Sequence, residues 1–458
     1  MDFFNQLFVD FRLAGFRLSG MRSLGFILLT FVGFTPATFG QRNDSLHLPF
    51  AISGEKKISE EELKEKKEGY YVTGLPFLSS DPLNGIGAGA EAQLFYNGHR
   101  NDPFFAYTPF RAEFDLTVFY TSKEEKEIKF ECEIPYIFNS KWRLHGELAY
   151  EVDPNLLYFG LGERSLSTLS NPFLNKHYST FDGYQNSLTA ATQYYNTYQK
   201  EEAVFNIILH RSFMEGRMRF FMGFEIARSN YTTPLDNQSM FYHDFLTGMV
   251  SGYGVSVIPL FQPGLIFDTR DLETDPNKGS FAELIGEVSP PILGSPFNFT
   301  KVLAHYNWYH KVLPATFKRL VFASRVGINV VSGNAPYFEY TDAESSEKTI
   351  TLIGGPVTLR GYKQSRFTGS IMDFANAELR YRFWQTNILK QHLTFNAVPF
   401  LDAGGVWDSF QRMGHLENYR MAEGLGLRIG WNENTTLRFD YAVSNEDQQF
   451  FFQFGHTF

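Results

Sequence analysis

The chain has 458 residues, 43% of them hydrophobic and 20% charged, so it can bury a sizeable core, and 17% are aromatic. A bundle of membrane helices is excluded, because each span needs roughly 18 consecutive apolar residues and only residues 24–34 come near. The net charge of -9 speaks against a nucleic-acid partner, which needs a basic stripe. A single cysteine, Cys132, excludes an internal disulfide framework and any multi-cysteine metal site.

At the N-terminus, Arg12, Arg17 and Arg22 precede the apolar run, and Pro36, Ala37, Thr38 and Gly40 follow it. This is the layout of a secretory signal peptide over residues 1–40, with mature chain from near Gln41 and Met21 as an alternative initiator. Residues 41–84 form a charged stretch in which Glu60 with Lys64 and Glu62 with Lys66 have the i,i+4 order that supports a helix. Ile58 and Leu63 offer a small apolar face. The stretch therefore reads as a solvated periplasmic helix or tether.

From Gly85 the pattern changes to period two. Phe110, Ala112, Phe114, Leu116, Val118 and Tyr120 alternate with Arg111, Glu113, Asp115 and Thr117. About sixteen such segments run from 85–97 to 448–458, with 185–199 and 202–213 as two separate strands and long loops near 152–184, 230–252 and 332–372. An even number suits a bacterial barrel. A soluble sandwich would turn its apolar faces inward, whereas a barrel turns them to lipid and leaves no backbone group unpaired in hydrocarbon. The signal peptide and the aromatic excess favour the barrel, so the fold class is all-β: a transmembrane antiparallel β-barrel over residues 85–458 in the bacterial outer membrane.

Catalytic signatures are missing: no G-x-S-x-G elbow, no H-E-x-x-H pair and no phosphate loop. His305 and His310 are five apart, so on a strand they face opposite ways and cannot share a metal. The expectation is a non-enzyme without metal or cofactor.

The informative segments are 352–362, 376–380, 399–407, 424–428 and the aromatic C-terminus, with Phe267-Asp268-Thr269-Arg270-Asp271 upstream. Together they resemble the bacterial surface antigen family, the BamA- and TamA-type barrels of outer-membrane protein assembly and translocation. The resemblance implies that Leu359-Arg360-Gly361-Tyr362 is the tip of an extracellular loop folded into the lumen, where Arg360 meets Glu378 and Asp402. It also marks Asp268, Arg270 and Asp271 as a strand signature, and Phe452, Phe454 and Phe458 as a C-terminal insertion signal. Strand parity independently turns Asn376, Glu378, Arg380 and Asp402 inward. An arginine suits such a latch because its planar fork can bond two carboxylates at once.

Strand 85–97, rich in Gly85, Gly87 and Gly89, offers few side-chain pairs. As first strand it would meet the last in a weak seam, and the family is known for a seam that opens laterally. Unlike the best-known members, about 45 residues between the cleavage site and the first strand cannot hold a periplasmic repeat domain. The resulting expectation is a component or accessory of outer-membrane protein assembly or translocation, surrounded by outer-membrane lipid and working with protein partners in an assembly or secretion complex. The alternatives are a pore for small solutes and, third, an outer-membrane enzyme.

Overall fold

A computed structural model describes residues 47–81, 84–317, 319–347, 349–388, 391–431 and 435–458. The signal-peptide assignment to residues 1–40 lies outside the described residues. Sixteen strands pair antiparallel in chain order within one sheet. The first eight are β1 (Tyr70–Asp81), β2 (Gly85–Tyr96), β3 (Ala112–Thr121), β4 (Lys126–Ile134), β5 (Trp142–Leu157), β6 (Thr197–Phe213), β7 (Met218–Thr232) and β8 (Gly254–Asp268). The second eight are β9 (Gly279–Ser289), β10 (Asn298–Lys311), β11 (Leu320–Asn334), β12 (Ile371–Ile388), β13 (Gln391–Trp407), β14 (Tyr419–Trp431), β15 (Thr435–Val443) and β16 (Gln448–Phe454).

Burial decides between sandwich and barrel. Val72, Leu78, Tyr120, Phe220, Leu284, Trp308, Leu425 and Phe450 are exposed, while Arg270, Arg325, Arg360, Arg366, Arg428 and Arg438 are among the most buried side chains. A water-soluble sheet would be the reverse. Apolar outside and charged inside is the arrangement of a barrel in lipid. Because strands simply alternate direction, the long connections 158–196, 233–253 and 335–370 share one rim. The N-terminal segment and the C-terminus lie at the other, which is the periplasmic rim of such barrels.

Two expectations about the strands need correction. The barrel begins at Tyr70, not at Gly85: β1 pairs with β2 over its whole length, from Tyr70 opposite Tyr96 to Asp81 opposite Gly85. Pro76 and Gly74 hid it, although an edge strand tolerates proline. Conversely, 185–199 and 202–213 are not two strands, since β6 runs unbroken through Thr197–Phe213. One strand missed and one divided left the total at sixteen.

The seam is accordingly β1 with β16. The ring of Phe77 lies 6.0 Å from Phe452, 6.1 Å from Phe454 and 5.5 Å from Phe119. Gly89 of β2 serves this contact, because a Cβ there would stand 2.4 Å from Phe77 Cζ. A ring laid over a glycine on the next strand is a packing device of curved sheets.

The segment ahead of β1 is no free tether. It contains α1 (Glu60–Glu65), and it is bonded to the periplasmic rim. Ser53 N donates to Glu215 O at 2.7 Å and Ile58 N to Ala106 O at 2.9 Å. Lys66 Nζ donates to the carbonyls of Phe105 and Thr108, both at 2.6 Å. Ile52 and Ile58 are buried. All these partners sit in turns that no local pattern connects to residues 48–69.

Candidate functional site

Arg360 lies at the tip of the loop between β11 and β12, fully buried. Gly361 at φ +96° turns the chain behind it, and a Cβ there would be 3.0 Å from Ala422 Cβ and 3.1 Å from the Val443 carbonyl carbon. Leu359 packs into a luminal core with Ile353, Met372 and Phe374. Tyr362 donates its hydroxyl to Asn445 Oδ1 at 2.5 Å and meets Phe367 edge-on.

The guanidinium of Arg360 forks onto Asp402, Nε to Oδ2 at 2.7 Å and Nη2 to Oδ1 at 2.8 Å. Its Nη1 donates to Glu378 at 2.9 Å, to Asp440 at 3.0 Å and to Thr457 Oγ1 at 3.2 Å. The backbone N–H of Arg360 adds a bond to Asp402 at 3.1 Å. Side chains from β12, β13 and β15 thus converge on one cation, with Arg380 on Glu378 at 2.9 Å and Arg428 on Asp440 at 2.5 Å completing the network. Asn376 holds Asp402 in place at 2.7 Å.

The face of Phe400 lies 3.4 Å from the Arg360 guanidinium. Room for that ring comes from Gly424 on β14, where a Cβ would be 2.3 Å from Phe400 Cζ and 2.2 Å from the Tyr441 carbonyl. Gly424→Val is therefore expected to destabilise the barrel by about 1–3 kcal/mol through overpacking. An unchanged urea midpoint for the refolded protein would show that Phe400 has space to move.

The strand signature lies elsewhere, at the periplasmic end. Asp268 accepts from Arg270 Nε at 3.1 Å, and Arg270 also pairs with Glu347 from the luminal loop. Lys56 reaches the other Asp268 oxygen at 2.8 Å. Burial pulls the Lys56 ammonium below its ordinary value, with Asp268 pulling it back up. Asp271 turns away to cap its own turn, accepting from Asn277 N at 2.9 Å and Lys278 N at 3.2 Å. Lys56→Met should accelerate protease cleavage within residues 48–69 of the folded barrel, and an unchanged digestion rate would mean the ion pair does not hold the segment.

The C-terminal phenylalanines do not share one face. β16 stops at Phe454, Gly455 takes φ +73°, and the chain turns inward. His456 Nε2 then lies 3.0 Å from Asp275, and Phe458 is buried between the guanidinium groups of Arg325 and Arg380. Phe452 and Phe454 stay at the seam, whereas Phe458 points into the lumen.

Sequence reasoning named Arg360, Glu378 and Asp402 but not Asp440, Arg428 or Thr457 as their neighbours. Parity along β14 and β15 turns Arg428 and Asp440 inward, but parity carries no information on whether they meet the loop. A second anchor was missed entirely. Lys301 on β10, 2% exposed, pairs with Glu287 at 3.1 Å and with Glu339 of the loop at 2.9 Å. Nearby, Glu344 N and Ser346 N donate to Glu287 and Glu283 at 3.1 and 2.9 Å. Arg366 Nε bonds Glu446 at 2.6 Å on the far side.

Among the described residues no helix is long and apolar enough to cross a membrane, a statement that leaves strands untouched. No curated protein sequence matches the chain. Residues 48–111 match a domain of unknown function, DUF5982, which covers the rim segment with β1 and β2. Among solved structures, CdiB from Escherichia coli aligns with TM-score 0.50 and 9% identity over 84% of this chain and 62% of that one. BamA from Haemophilus ducreyi lacking POTRA domains 1–3 aligns with TM-score 0.49 and 14% identity over 85% of this chain and 70% of that one. At such identities the likeness is one of fold. The family profile is decisive, since the Omp85 superfamily domain matches residues 110–458, from just before β3 to the last residue. With sixteen antiparallel strands, apolar outside and charged within, the chain belongs to the Omp85 superfamily and is a β-barrel of the outer membrane.

Proposed function

We propose that this barrel serves as a component or accessory of outer-membrane protein assembly or translocation, with its luminal loop latched by Arg360 to Glu378 and Asp402. Membership of the superfamily supports the first half of the reading. The observation that carries the second is one fully buried arginine bonded to carboxylates of three different strands. A loop held this way can be released as a unit if the wall strands move apart, because all its tip contacts depend on their spacing.

A pore for small solutes fits less well. Leu352, Ile353, Val357, Leu359 and Phe367 of the loop pack against Phe221, Ile266, Phe281 and Leu303 of the wall, which fills the lumen with side chains. The test is to purify the tagged protein from gently solubilised outer membranes. Stoichiometric co-purification of an assembly barrel, lipoproteins or secretion subunits is expected. A lone barrel that conducts ions steadily in a planar bilayer would overturn the reading in favour of the pore.

A further inference from the structure

On the outer wall, at its periplasmic end, we infer a binding site for one anionic phospholipid of the inner leaflet, such as phosphatidylglycerol, with Arg211 of β6 holding the phosphate. Register sets Arg211 in a row of lipid-facing side chains. Trp142 of β5 stands opposite it on one side and Phe220 of β7 on the other, while Leu209 and Phe213 share its face along β6. Leu209, Phe213 and Phe220 are exposed, as the outer side of a barrel wall requires, and Arg211 is exposed among them. A charge on that side is strongly disfavoured at the membrane midplane and tolerated near the interface. Trp142 opens β5 and Phe213 closes β6, which puts Arg211 at the level of the headgroups, where aromatic belts lie.

The guanidinium is held in place but not neutralised. It lies 5.1 Å from the Trp142 ring and 5.7 Å from the Phe213 ring, and among the described residues no carboxylate pairs with it. Lys141, exposed at the rim beside Trp142, is likewise without a carboxylate partner and rests its ammonium 5.6 Å from the Phe50 ring. Glu215 is the one carboxylate in the two turns that flank the site, residues 135–141 and 214–217. At headgroup depth the anion that matches a planar guanidinium fork is phosphate. Two cations against one carboxylate favour a headgroup of net negative charge over a zwitterionic one.

The same two turns supply an independent observation. Phe138, on the turn leading into Trp142, has φ +53°, and Met214, directly after Phe213, has φ +46°. Side chains other than glycine's rarely take this left-handed backbone, which is strained. Its result here is that two large apolar groups are displayed, Phe138 83% and Met214 64% exposed. Such a display is unfavourable in water and favourable where the groups sink between headgroups and acyl chains. Cation, aromatic belt and apolar turns thus meet at one point of the wall.

The test uses the full barrel, purified in detergent and delipidated, with native mass spectrometry reading the lipid retained as phosphatidylglycerol or phosphatidylcholine of equal chain length is added. Retention of one phosphatidylglycerol in preference to phosphatidylcholine is expected. Arg211→Gln should weaken it by about tenfold or more, the factor for a hydrogen bond to a charged group. Arg211→Lys should recover only part, because an ammonium lacks the fork. Undiminished retention by Arg211→Gln, or an Arg211→Lys barrel as tight as wild type, overturns the site. Should Arg211→Gln fail to fold, the wild type still decides, because equal retention of the two lipids overturns the site as well. Photoreactive benzoylphenylalanine at position 138 should crosslink to phospholipid in cells, and a discrete protein adduct there would overturn the reading in favour of a protein partner.

Discussion

Arg360→Ala should lower barrel stability by about 3–5 kcal/mol, the range for removing one member of a buried ion pair. Asp402 would lose the guanidinium fork and keep only the Asn376 amide and the backbone N–H of residue 360, Glu378 and Asp440 would fall back on Arg380 and Arg428, and Phe400 would lose the cation over its face. Arg360→Lys should recover only part of this, because an ammonium cannot fork onto Asp402 while also reaching Glu378 and Asp440. Adding Asp402→Ala to Arg360→Ala should cost less than the two single changes together, since the partners act as one network. The urea midpoint of protein refolded into vesicles measures all three. A midpoint of Arg360→Ala equal to wild type would remove the latch from the proposed function.

Lys301→Met, which keeps the volume and deletes the charge, should cost about 3 kcal/mol, the low end of the same range. It strands Glu287 and Glu339 at the second anchor of the loop. The low end applies because burial already pushes the Glu339 carboxyl up to about 7, against the pull of Lys301. Its folded-state value lies above that of the unfolded chain, so the folded state holds the proton more tightly. Stability from this group is then gained as pH falls through about 7 and lost as pH rises through it. The deficit of Lys301→Met should consequently shrink at mildly acidic pH, when a neutral Glu339 no longer needs a cation. A deficit that grows on acidification would mean that another group controls the anchor.

Much of the architecture is legible in the residues because a lipid-facing wall must alternate. Period two in segments such as Phe110–Tyr120 gave direction, parity and the all-β class, and parity alone turned Asn376, Glu378, Arg380 and Asp402 inward. Where alternation is interrupted, reading fails. Pro76 and Gly74 masked β1, and the aromatic run near Tyr195 mimicked a strand that is in fact a connection leading into β6. Resemblance named the loop tip, which local pattern could not, since a tip of glycines, prolines and one arginine looks like any turn.

By itself the sequence determined the facing of nearly every wall residue, because side-chain alternation is a property of the extended backbone and requires no knowledge of partners. Only the tertiary structure decided which charges meet: Arg360 with Asp440 and Thr457, 80 and 97 residues away, Lys56 with Asp268, Lys301 with Glu339, and the turn that draws Phe458 inward at Gly455. Those pairings depend on closure of the sheet, which brings strands distant in sequence around a common lumen, and on the high cost of leaving a buried charge without a partner once water is excluded.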